Sequence, residues 1–209
     1  MGNGTSYDPR MEDLPVFISY PRSGSHWING LMELYFERPR LRHGPASWFP
    51  NRQDYMWFHD HDIHSDLELG HSKVMYLVRD PRDVIFSLLT AEHDQITDEL
   101  VKEQIDLLKK HYLKYMKSSS CCVVSYHNMK EDPHHEFVKI TEWFGQHVFY
   151  PMKLDEALHK VSKKRVIDKA VDKRYFNKNM LTSGYEDDRQ EFVSKYGKLI
   201  KEGLFQYLP

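Results

Sequence analysis

Apolar residues recur along this chain in two rhythms, and the alternation between them predicts the architecture. Short β-branched and aromatic runs appear at Val16 to Tyr20, Tyr55 to Phe58, Lys73 to Val78 ("KVMYLV") and Cys121 to Tyr126 ("CCVVSY"). The last two are continuous rather than alternating, the mark of strands buried on both faces of a parallel sheet. Between them the period lengthens to that of a helix. One helix is expected from Ser25 to Phe36, stopped before Pro39, and another from Asp83 to Thr90. A long one runs from a Thr97 cap to about Met116, with Val101, Ile105, Leu108 and Tyr112 on one face. Pro133 opens a further helix carrying Phe137, Ile140 and Phe144, and "EDDRQEFVSKYG" ends the helical remainder with Gly197 as its cap. "RPRLRHGPASWFPNRQ" reads as a long loop. Strands alternating with helices predict an α/β fold: a single domain with a central parallel β-sheet flanked by helices. In such sheets ligands lie beyond the C-terminal strand ends, so Ser23, Arg79 and Tyr126, which follow strand ends, should converge there.

Composition narrows the setting. The 209 residues suit one domain, read as residues 15–209 behind a flexible lead-in of 1–14. The formal net charge of −2 excludes a global basic field for nucleic acid. The basic stretch "KKRVIDKAVDKR" reads as a solvated helix face. A mean hydropathy of −0.67 and the lack of any long apolar run argue against integral membrane contact. The N-terminal segment carries no apolar signal-peptide core; Gly2 with Ser6 fits a myristoylation pattern, and Asn3-Gly4-Thr5 a glycosylation sequon. The two cysteines, Cys121 and Cys122, are adjacent and point to opposite faces of a strand, which disfavours a disulfide and fits a reducing cytoplasm.

The chemistry starts at "FISYPRSGSHW", Phe17 to Trp27: a strand, a tight turn, then a helix at once. Backbone N–H groups at such a junction suit an anion. An ordinary strand-to-helix turn, with Ser25 as N-cap, would also use these residues. The ATP-binding pattern G-x-x-x-x-G-K-[ST] is absent, and the loop is too short to wrap a triphosphate. It can clasp one phosphate with Arg22 as a forked donor. A second signal is "YLVRDPRDVIFSLL", where Arg79 leaves a buried strand and Ser87 follows inside the next helix. Arg79 could instead pair with Asp80 or Asp83. The third is "VVSYHNMKEDPHHEFVKITEWFG", where Tyr126 leaves another strand.

Together these segments resemble the sulfotransferase family that uses 3′-phosphoadenosine 5′-phosphosulfate (PAPS). "YPRSGSHW" is similar to the family's P-loop-like phosphosulfate loop, Y-P-K-S-G-T-x-W. "RDPRDVIFSL" resembles its 3′-phosphate motif, R-[ND]-P-[KR]-D-x-x-x-S, and "YHNMKEDP" its Y-E-D-[ML]-K-x-D-P segment. The recognisable part runs from Val16 to about Gly145, with a weaker echo in "LTSGYEDDRQEFVSKYGKLIKEGLFQY". The resemblance implies that PAPS is the donor, adenosine 3′,5′-bisphosphate (PAP) the product, and that no metal is needed. It implies that Arg22, Ser23, Gly24, Ser25, His26 and Trp27 hold the phosphosulfate and adenine. Arg79 and Ser87 would bind the 3′-phosphate, and Tyr126 the adenine side. The family's C-terminal R-K-G segment has no true counterpart; Lys173 and Arg174 are the local candidates.

Sulfuryl transfer to a hydroxyl or amine needs a group to take the acceptor's proton and a cation at the phosphosulfate bridge. The base candidates lie in "WFHDHDIH". His59 is preferred over His61 as the residue nearest the strand end, and His64 reads as surface loop. The cluster could also supply zinc ligands. Arg22 stands where the family has lysine: always charged, it can stabilise the bridge but is a poor proton donor. The short segments before Arg79 and after Gly145 imply an open cleft for a larger or more polar acceptor, or a site completed by a partner subunit. The competing functions are a non-catalytic PAP-binding module and a small-molecule phosphotransferase, the latter opposed by Arg79 and Ser87, since ATP has no 3′-phosphate.

Overall fold

The computed structural model of the chain describes residues 14–41, 48–49, 51–63, 73–116, 121–161 and 184–207. Its centre is a four-stranded parallel sheet of β1 (Val16–Ser19), β2 (Phe58–Asp60), β3 (Val74–Val78) and β4 (Cys121–Ser125), in the order β2-β1-β3-β4. The register sets Phe17 beside His59 on one side and Met75 on the other, and Val78 beside Ser125. The two central strands, β1 and β3, are buried at every position, as the unbroken apolar run of β3 predicts; β4, expected to be equally buried, lies at the edge of the sheet and is only half-buried except at Val124.

Alternate residues of these strands feed two cores. Ile18, Tyr76 and Val78 face one way, onto α2 (Pro81–Glu92), α3 (Asp98–Tyr115) and α7 (Tyr185–Leu204) through Ile85, Leu108 and Phe192. Phe17, Met75 and Leu77 face the other way, onto α1 (Ser25–Phe36), α5 (Pro133–Trp143) and α6 (Pro151–Lys160) through Leu31, Phe137 and Leu154. A short helix, α4 (Tyr126–Glu131), follows β4 without a break. The fold is therefore the expected doubly covered parallel sheet.

Four local expectations shift. β2 begins at Phe58 rather than Tyr55, because Leu41 pairs with Phe58 ahead of it and the backbone of Met56 is bonded to Pro39 instead of a strand. α2 starts at Pro81, two residues early, since Asp80 caps it by accepting from Arg82 N at 2.9 Å. Tyr126 opens α4 instead of ending β4: Ser125 Oγ accepts from Asn128 N at 3.2 Å and turns the chain into a helix. Gly197 lies inside α7, not at its end. Gly2, Asn3, His64, Lys173 and Arg174 lie outside the described residues. No helix among the described residues is long and apolar enough to cross a membrane.

Candidate active site

The turn after β1 reverses the chain within four residues. Ser23 N bonds Tyr20 O at 3.2 Å, and both Arg22 (φ 69°) and Gly24 (φ 96°) take the left-handed backbone. Gly24, not Ser25, is the N-cap of α1, and it supplies no side-chain cap. The helix therefore meets its site with backbone N–H groups. A side chain at residue 24 is excluded on two counts: the positive φ, and the Tyr126 ring, whose Cδ2 would lie 2.6 Å from an added Cβ. Ser23 and Ser25 are buried in this turn, and His26 and Trp27 are half-buried on the first helical turn.

Two further strand ends bring a cation, Arg79, and an aromatic ring, Tyr126, to the same place. Arg79, just past β3, donates from Nη1 to Arg22 O at 3.0 Å and reaches Asp83 at 3.6 Å. Its guanidinium lies over the Tyr126 ring, 4.8 Å from the centroid, and Trp27 meets Tyr126 edge to face at 5.5 Å. Arg79 Nε is buried and has no hydrogen-bond partner among the described residues, so this guanidinium keeps unspent donor capacity. Arg22 Nε donates to the buried Ser87 Oγ at 3.0 Å. Burial, chiefly, and then the neighbouring Arg79 charge pull the Arg22 guanidinium below its ordinary pKa. Two neighbouring arginines, one of them bonded to a buried hydroxyl, are chemically suited to a polyanion. Asp80 does not compete for Arg79: Arg82 Nε holds it at 3.0 and 3.1 Å.

Tyr185, the first residue of α7, was not foreseen. Burial raises its pKa first; the charges of Arg79 and Arg22 and a hydrogen bond with Ser87 act in the opposite sense. Arg189, one turn on, donates to Asp83 at 2.6 Å and ties α7 to α2. The sequence signal was there in outline, because the segment containing Tyr185 carries a weak family echo, but nothing in its spacing singled out this residue.

The histidines occupy the other side of β1. His59 lies within β2, 1% exposed, with its ring against Phe17. The expectation that it follows the strand is thus corrected: the two-residue shift of β2 draws it inside. His61 is the first residue past that strand and is half-buried. Both converge on Ser19, whose Oγ is 3.3 Å from His59 Nε2 and 3.2 Å from His61 Nδ1. His61 Nδ1 also lies 2.7 Å from Ser19 O. A carbonyl only accepts, so Nδ1 carries the proton and Nε2 is the basic nitrogen of the neutral ring. Among the described residues, no three His, Cys, Asp or Glu side chains gather to hold a metal ion.

Comparison with known proteins agrees with this geometry. A sulfotransferase domain model matches residues 57–198. No curated protein sequence matches the chain. Among solved structures it is similar to mouse sulfotransferase SULT7A1 complexed with PAP (18% identity, 94% of this chain and 90% of that one, TM-score 0.61). It is also similar to retinol dehydratase in complex with androsterone and PAP (16% identity, 93% and 83%, TM-score 0.60). The sulfotransferase domain of the Synechococcus PCC 7002 olefin synthase is a third (15% identity, 88% and 94%, TM-score 0.50). With the domain model spanning most of the chain, over a parallel sheet covered by helices on both faces, the chain belongs to the sulfotransferase domain family.

Proposed function

We propose that the protein transfers a sulfuryl group from PAPS to a hydroxyl or amine of a small or polar acceptor in the cytoplasm. The observation that carries this reading is the convergence of Arg22, Arg79 and Ser87 at the N-terminus of α1, beside the aromatic pair Trp27 and Tyr126. That set fits a nucleotide with phosphate at two positions. Arg79, with donor capacity to spare, and Ser87 suit the 3′-phosphate. The backbone from Ser23 to Trp27, with the side chains of Ser23, Ser25 and His26, suits the 5′-phosphosulfate. Trp27 gives an aromatic plane for the adenine. Tyr126 supports the loop through Gly24 and steadies Arg79.

When bound, PAPS supplies a sulfuryl group on a phosphate leaving group. Arg22 holds positive charge beside that phosphate, with its guanidinium aimed by Ser87. His61 takes the acceptor's proton at Nε2, while Ser19 O fixes the tautomer through Nδ1. His59, too deep for an acceptor to reach, steadies Ser19 behind it. Equilibrium binding of PAP against ATP tests the nucleotide: PAP should bind at least tenfold more tightly, and equal affinity would defeat the reading. Transfer of radiolabelled sulfate from PAPS over a library of alcohols and amines tests the reaction.

A further inference from the structure

The two residues after β2 are held by a part of the molecule that the nucleotide site does not use. Asp62 has a positive φ of 45°, a left-handed backbone state uncommon outside glycine though commoner for aspartate than for most residues. Lys114 Nζ donates to Asp62 Oδ2 at 2.6 Å, and the Tyr115 hydroxyl donates to the same oxygen. Asp62 N, in turn, bonds Asp60 Oδ1 at 2.6 Å. One turn back along α3, His111 Nε2 donates to His61 O at 2.8 Å, and its Nδ1 accepts from Tyr76 OH at 2.7 Å. His111, Lys114 and Tyr115 share a face of α3. Three of these bonds run from α3 to the His61 carbonyl or the Asp62 carboxylate, so α3 grips the peptide that carries His61.

We infer that His111, Lys114 and Tyr115 are positioning residues: through the His61 carbonyl and the Asp62 carboxylate, α3 holds the His61 imidazole against Ser19 in the orientation that takes the acceptor's proton. This rests on the reading of His61 as the base. A left-handed residue other than glycine, directly after a reacting group, persists where its surroundings over-determine it. The burial that keeps His111 neutral supports the assignment, because a neutral ring can accept from Tyr76 while donating to His61. Misplacing a reacting group by about an ångström costs roughly 10²-fold in rate.

The test is a double-mutant cycle on turnover, with PAP affinity and thermal midpoint measured on each preparation. His61→Ala should cut kcat by roughly 10²–10⁴-fold at unchanged PAP affinity. Lys114→Met, which keeps the side-chain stem, should cut kcat by about tenfold or more and leave PAP affinity unchanged. In the His61→Ala background the Lys114→Met exchange should cost nothing further, since a residue that acts through the imidazole has nothing left to position. Tyr115→Phe, milder in packing, should show the same pattern if Lys114→Met folds poorly. Undiminished turnover in His61→Ala would overturn the base and the positioning role together. A loss in His61→Ala combined with independent, additive losses from Lys114→Met and Tyr115→Phe would leave the base in place and overturn the positioning role.

Discussion

Arg79 is the side chain whose surroundings make the sharpest demand. It spends one nitrogen on Arg22 O and lies against Tyr126, yet keeps a buried Nε without a partner among the described residues. Arg79→Ala should weaken PAP by about 1.5–3 kcal/mol, a charge-assisted contact's worth, and adenosine 5′-phosphate far less. Titration of both nucleotides checks this, and equal losses would detach Arg79 from the 3′-phosphate. Arg22 makes a different demand, because its bond to Ser87 depends on the guanidinium fork. Arg22→Ala should depress kcat strongly, while Arg22→Lys restores charge and much of the turnover; steady-state kinetics on the two variants separate charge from shape. His111 carries a pH dependence of stability. Burial, the largest cause, lowers its pKa from 6.5 to about 4, and the His61 carbonyl only partly opposes this. Between those two values the unfolded chain binds a proton that the folded protein refuses, so stability falls as pH drops from 6.5 towards 4, by up to about 3 kcal/mol. Urea unfolding at pH 7 and pH 4.5 should show a smaller drop in His111→Gln than in the parent protein.

At the scale of elements, α1 joins the two ends of the site. Its N-terminus faces the anion turn, while its C-terminal half buries a charge: Glu33, fully enclosed, pairs with Arg40 Nη1 at 2.9 Å. Glu33 also accepts from Arg40 N at 3.2 Å and Trp48 N at 2.8 Å. This carboxylate thus holds Arg40, the neighbour of the Leu41 that pairs with Phe58, and Trp48. A buried pair adds little net stability over an apolar substitute, but removing one partner strands the other. Arg40→Met should therefore destabilise by about 3 kcal/mol, and Arg40→Met combined with Glu33→Gln by less than the sum of the two. Urea midpoints at constant slope measure both.

For the molecule as a whole, most strands and the helices facing them were legible because the apolar runs are long and the start signals are local: Thr97 and Pro133 sit where their chemistry puts them. The tight turn after β1 was legible through its motif, and the approach of Arg79 to it through that residue's place after a buried run. What could not be read was set by distance. The register of β2 depends on Leu41 and Pro39, neither of which lies in the strand's own sequence; on that account His59 lies inside the strand and His61 just past its end. Tyr185 reaches the site from α7, 98 residues beyond Ser87 in the numbering. The clamp on Asp62 likewise couples residues 52 and 53 positions apart.

The position of β1 has a kinetic consequence. It is an early segment of the chain, yet it lies between β2 and β3, and it pairs with both in parallel. Parallel neighbours cannot be closed by a hairpin, so each pairing waits for a long loop to shut before any reward is gained. During synthesis, Val16–Ser19 emerges first and has no strand partner until Phe58–Asp60 and Val74–Val78 have followed it. Among the described strands, the apolar stretch that leads into the Arg22 turn is thus the one that waits longest for its partners.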